Sequence, residues 1–163
     1  MKSILSIILA TGLLFSAPSA HAAVEDGTSI SPQFIAPLMA WVENATSTRV
    51  PTQPHVVASM SRLKFAMGLE GVRQARSMAA YIPGQVVLNN LIWDEESVRS
   101  VSYLVHELVH HAQLFSKKQY PCPEAKEYEA YNLQNQWLAE HGEDPIVSAS
   151  FIKAMAACPN GGA

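Results

Sequence analysis

The 163-residue sequence predicts a compact α+β domain, mostly helical, with one small hairpin. Three observations carry this. Apolar residues recur at helical spacing from Val98 to Phe115. Two short β-prone runs, 77–82 and 85–88, flank Pro83-Gly84, which reads as a turn. The chain is 48% hydrophobic and 15% charged, enough apolar content for one domain core and too much for disorder.

The first residues stand outside the fold. Met1-Lys2 supplies a positive start, and Ile4 to Phe15 is apolar, too short at about 12 residues to span a bilayer. Pro18 breaks this stretch, and Ala20-His21-Ala22 places small residues where a signal peptidase needs them. Residues 1–22 are therefore expected to be a cleaved signal peptide and 23–163 a single exported domain, periplasmic or secreted; a retained anchor helix is the alternative. Outside the cytosol Cys122 and Cys158 are expected to pair. No apolar run reaches the roughly 18 residues of a transmembrane helix. The net charge of −3, with no basic run beyond Lys117-Lys118, gives no footprint for nucleic acid. A monomer is expected.

The elements follow in order. Residues 24–31 are polar and read as loose. Pro32 opens a helix to about Asn44, with Phe34, Ile35, Leu38, Trp41 and Val42 on one side. His55 to Ala58 is a strand candidate, and 61–67 a helical turn before Gly68 and Gly71. The hairpin comes next. Asp94 is the expected cap of the long helix, whose stripe Val98, Val101, Val105, Leu108, Ala112, Phe115 faces a core. A second stripe, Arg99, Tyr103, His106, His110, Gln113, runs beside it. Pro121 and Pro123 permit a reversal into a helix from about Pro123 to Glu140, ending at Gly142. A last helix, capped by Asp144 with Pro145 in its first turn, is expected to run to about Ala157, before the tail from Pro159.

The chemistry lies in His106-Glu107-Leu108-Val109-His110, an H-E-x-x-H segment. Histidines four apart stack one turn above the other, so both imidazoles reach one zinc ion. Glu107 lies beside the first ligand, where it can take a proton from a zinc-activated water during attack on a carbonyl. Catalytic zinc needs a third protein ligand. Positions 113 and 116 hold Gln and Ser, not the Gly and His of the metzincin extension. The ligand must then come from downstream acids. Glu124 and Glu127 share a face with Tyr131 and Gln134, while Glu129 points about 160–200° away.

This arrangement resembles a small gluzincin of the HExxH metallopeptidase clan. In that clan a second helix supplies a ligand Glu within Glu-x-x-Ala-(Asp/Asn), or Arg-Glu-Tyr-x-Ala-Asp in some members. Lys126-Glu127-Tyr128-Glu129-Ala130-Tyr131 is similar, with Tyr131 in place of the acid or amide. The chain also resembles small exported bacterial proteins with a HELVHxxQ segment and a Glu-rich helix. The close likeness covers residues 94–140. It implies a zincin-like fold and one zinc per chain held by His106, His110 and Glu127, with Glu107 as catalytic base. Glu129 is the alternative third ligand. Tyr131 leaves a ligand histidine without the acid that normally steadies it.

The remaining candidates have plainer roles. His111 is expected to be a partly exposed helix residue. His141 suits a helix C-terminus or, alternatively, an oxyanion contact. Tyr103, Tyr120, Tyr128 and Tyr131 are packing residues or oxyanion donors. Gln113 either lines the cleft or solvates the helix. Trp41, Trp93 and Trp137 are core or helix-docking residues. The expected function is zinc-dependent hydrolysis of a peptide bond in a peptide or protein substrate, with an extended peptide added to the hairpin's rim strand. The alternative is a non-catalytic zinc-binding or interaction module of the same fold.

Overall fold

The computed structural model describes residues 23–69 and 77–159. The expected signal peptide, Gly71 and the last four residues lie outside that range.

Strands β1 (Thr28–Ser29), β2 (His55–Ala58), β3 (Ala79–Ile82) and β4 (Gln85–Leu88) form one mixed sheet in the order β1-β2-β4-β3. The short runs of β-branched residues at 55–58 and 85–88 pair in parallel, Val56 with Val86 and Val57 with Val87. Pro83-Gly84 turns the chain between β3 and β4 as expected, with Gly84 at φ +83°. The sheet alternates with the two-residue period. Val56, Ala58, Val86 and Leu88 face the larger core, and Val57 and Val87 face Leu63 of α2 (Met60–Ala66).

The larger core is closed by α1 (Pro32–Thr46) and α3 (Val98–Phe115). Ile35, Leu38 and Val42 meet Val101, Leu104, Val105 and Leu108 over the sheet. A single 3-10 turn, Pro123–Ala125, leads into α4 (Lys126–Glu140), which packs along α3 through Ala130 and Trp137. Helix α5 (Ala149–Met155) packs on α4, and Ile152 is its buried residue. A Cys122–Cys158 disulfide joins the start of the 3-10 turn to the chain beyond α5. Closing a loop of 36 residues stabilises by about 4 kcal/mol in the chain-entropy model. Among the described residues no helix is long and apolar enough to cross a membrane.

Three expectations need correction. Residues 28–29 are not loose. Gly27 N–H donates to the Ala58 carbonyl (2.8 Å) and Ile30 N–H to Val56 (2.9 Å), so backbone bonds and the burial of Ile30 make an edge strand from a polar sequence. Asp94 does not cap α3. It closes its own turn by accepting from Glu96 N–H (2.8 Å), and Ser97 caps the helix by accepting from Ser100 N–H. Asp144-Pro145 likewise precedes α5 without entering it; Ser148 is the cap, accepting from Phe151 N–H. With Ser31 and Ser59, four helices begin on a serine side chain.

Candidate metal centre

Helix α3 is buried on nearly every side; of its polar stripe, Arg99 is exposed and pairs with Glu143, while Tyr103, His106 and His110 line a cleft. The i, i+4 spacing brings both imidazoles to one place, with His106 Nε2 and His110 Nε2 3.1 Å apart. Helix α4 lays Glu127 across them. Its Oε2 is 3.2 Å from His106 Nε2 and its Oε1 3.2 Å from His110 Nε2. Ligands at the ~2.0–2.1 Å typical of zinc sit roughly 3.3 Å apart at the corners of a tetrahedron. The His106–His110 separation matches one such edge, and each Glu127 oxygen lies at a similar distance from one of the two histidines. His106, His110 and Glu127 form a group that can hold a metal ion.

Charge at the group is already arranged. Burial alone would raise the Glu127 carboxyl, but hydrogen bonds from His106 and His110 overcome it and hold the group down to about 2. Burial would lower His110, yet the Glu127 hydrogen bond and the Glu107 and Glu127 charges win and raise it. Glu107 stands apart from the three. Burial pushes its carboxyl up, against the pull of His106 and His110, while Glu127 adds to the rise. The Tyr81 backbone of β3 acts in the other direction, too weakly to reverse the rise.

His110 is held by a relay the sequence left open. Gln113 Nε2 donates to the Lys126 carbonyl (3.0 Å) and to Glu129 Oε2 (3.2 Å), both acceptors. Its Oε1 must then face His110 Nδ1, at 2.9 Å, and accept its proton. With Nδ1 committed to Gln113, the charged ring donates through Nε2 to Glu127, and loss of that proton frees the Nε2 lone pair for a metal ion. Glu129 faces away from the group; Lys118 and Tyr120 also donate to it, Tyr120 at 2.6 Å. Burial and the Glu129 charge push the Tyr120 hydroxyl well above its usual range. His106 has no such support. Its Nδ1 is buried without a partner among the described residues, and the Tyr131 ring packs on it at 4.4 Å.

His111 is not a partly exposed residue. It is 2% exposed, donates through Nε2 to the Thr52 carbonyl (2.8 Å) and accepts at Nδ1 from the Tyr81 hydroxyl (3.1 Å). That pins β3 to α3. The signal in the sequence was only a polar residue on a helix otherwise buried there. His141 ends α4 with its ring stacked on Trp137, away from the cleft. Trp93 and Trp137 are buried, while Trp41 is half-buried and donates to Glu140. Tyr103 and Tyr131 line the cleft; Tyr120 and Tyr128 do not.

Two cavities meet over His106, Glu107 and Tyr131. One, about 290 Å³, extends past Ser77, Met78 and Tyr103 to Ile146, Val147 and Phe151. The other, about 550 Å³, extends past Tyr81, Pro83, His110 and Glu127 to Leu114 and Met155. Strand β3 is the sheet's last strand and runs beside both. A family model described as a domain of unknown function (DUF6647) matches residues 27–161. The chain belongs to that family. No curated protein and no solved structure matches it. The match takes in every helix and strand of the described fold and all three residues of the metal group.

Proposed function

We propose that this protein is an exported zinc-dependent hydrolase of compact zincin-like fold that cleaves peptide bonds. One observation carries the reading. Two imidazole nitrogens and a carboxylate converge at 3.1–3.2 Å, while a further acid, Glu107, stands beside them and is not one of the three. Two histidines and a carboxylate are a donor set suited to zinc. Zinc held there would acidify a water and polarise a carbonyl.

The chain's own groups supply the rest. Glu107 takes the proton of the attacking water and returns it to the departing amine; a carboxyl raised by burial suits both tasks. The two-residue turn makes Ile82 and Gln85 a hydrogen-bonded pair, so the N–H and C=O of Tyr81 and Ala79 turn outward from the sheet. Ala79 presents its pair to an extended peptide lying along β3. The Cys122–Cys158 bond is in keeping with an oxidising compartment.

The rival, a non-catalytic metal-binding module, follows from how little wall a domain this small offers a substrate. Cavities on both sides of Glu107 favour the hydrolase. Metal analysis and cleavage of a mixed pool of unstructured peptides test the two. Wild-type protein should bind one zinc and cleave. Glu107→Gln should keep zinc and lose ~10²–10⁴-fold in rate, because an amide accepts no proton. Zinc without cleavage supports the module, and no zinc removes both.

A further inference from the structure

We infer that the 290 Å³ cavity beside Glu107 seats one apolar side chain of the substrate, and that Ile146, Val147 and Phe151 select it. The proposed hydrolase gives the bound chain its fate, so the inference rests on that reading there; what the cavity accepts stands on the cavity alone.

Size comes first. A cavity of roughly 150 Å³ holds a benzene ring. About 290 Å³ therefore takes one side chain of leucine to tryptophan size, with no room for a folded element. Chemistry comes second. Beyond the border shared with the metal group, the cavity is walled by Met67, Met78, Tyr103, Ile146, Val147 and Phe151. Its one buried amide, Gln134, already donates to Ser102 Oγ at 3.2 Å. Among the described lining residues only His106 and Glu107 carry charge chemistry, and both belong to the metal group's own network. Among the described lining residues, a charged side chain entering past them loses water and meets no opposite charge outside the metal group.

The wall is built, not loose. Asn135 of α4 brackets the strip Ile146-Val147, accepting from Ile146 N–H (3.1 Å) and donating to the Val147 carbonyl (2.9 Å). Ser148 then starts α5, whose Phe151 packs edge-on against Tyr131 at 5.6 Å. Tyr131 in turn packs on His106. The selecting wall is thus one ring away from the metal group. Ser77 to Ala79 line the side of the cavity where β3 presents the Ala79 backbone pair. An extended peptide bonded there places a side chain in the cavity and its next peptide bond near Glu107.

Two titrations test this on the full exported chain. In the first, metal-free protein receives N-acetylphenylalanine amide or N-acetylaspartate amide, and methyl signals of Ile146 and Val147 are followed by NMR. Saturable shifts with the phenylalanine probe alone are expected. No shifts, or equal shifts with both probes, overturn the proposal whatever the metal does. In the second, zinc-loaded protein receives N-acetylated glycine, leucine, phenylalanine and aspartate hydroxamates, whose common head group seeks the metal. Leucine and phenylalanine should bind roughly 10- to 100-fold tighter than glycine, the range expected for burying one such side chain. Val147→Trp, which fills the cavity, should bring phenylalanine to within about threefold of glycine. Equal affinities in the wild type overturn the cavity's role and leave the metal site standing. Absence of all hydroxamate binding removes the hydrolase reading, and the first titration then decides the cavity.

Discussion

His106 and His110 lie one turn apart on the same helix and meet the same carboxylate at the same distance, yet they are held in different ways. His110 hands its Nδ1 proton to Gln113, which Glu129 and the Lys126 carbonyl orient from α4. His106 is held by the Tyr131 ring, with its Nδ1 unpartnered among the described residues. Hydrogen bonds fix a tautomer as well as a position, whereas ring packing fixes position alone. The site is therefore preorganised at one histidine by polar chemistry and at the other by shape.

The largest expected effect removes what both histidines share. Glu127→Ala should weaken zinc binding by more than about 100-fold, beyond the range for losing a supporting contact. Competition with a chelator of known affinity measures it; unchanged affinity would exclude Glu127 as a ligand. Gln113→Leu comes next, at about 10- to 100-fold, because it frees the His110 tautomer. Glu129→Ala should lie at the low end of that range and keep one zinc per chain. A loss of all zinc in Glu129→Ala with retention in Glu127→Ala would reverse the ligand assignment.

Acidity separates metal-free from metal-loaded protein. His110 is raised in the folded chain, so its contribution is full below its unfolded value of about 6.5 and is lost as pH rises through the folded value. Glu127 is lowered to about 2, so its contribution is full above its unfolded value of about 4.3 and is lost only as pH falls toward 2. Metal-free protein should thus gain from this pair on acidification from pH 8 to 6. Metal-loaded protein should lose over the same span, because protons compete with the ion at His110. Thermal melts with and without chelator check the crossing, and parallel trends would sink it. The smallest effect belongs to Tyr131→Phe. The ring, not the hydroxyl, is what meets His106, so zinc affinity should stay within about twofold. A large loss would mean that the hydroxyl supports His106 after all.

The sequence made the metal group legible because two of its members sit at a fixed helical spacing and the third opens a helix after a proline-marked reversal. The hairpin was legible from Pro83-Gly84, and the disulfide from two cysteines in a chain whose start reads as a signal peptide. What escaped was settled across elements. Asp94 and Asp144 have capping chemistry as good as that of Ser97 and Ser148, and only the local turns decided between them. The burial of His111 depends on Tyr81 and Thr52, 30 and 59 residues away. The role of Gln113 depends on which acceptors α4 places opposite it, and the pairing of Thr28–Ser29 leaves no hydrophobic pattern to read.

The Cys122–Cys158 bond also decides what a broken chain looks like. Glu127, Asn135 and all of α5 lie within the loop it closes, while His106 and His110 lie outside it. Residues 142–145, between α4 and α5, are exposed. Such an exposed stretch is where a protease nicks a folded chain. A single cut there yields two pieces joined through sulfur, so the cavity wall of Ile146, Val147 and Phe151 stays attached to the piece that carries the donor triad.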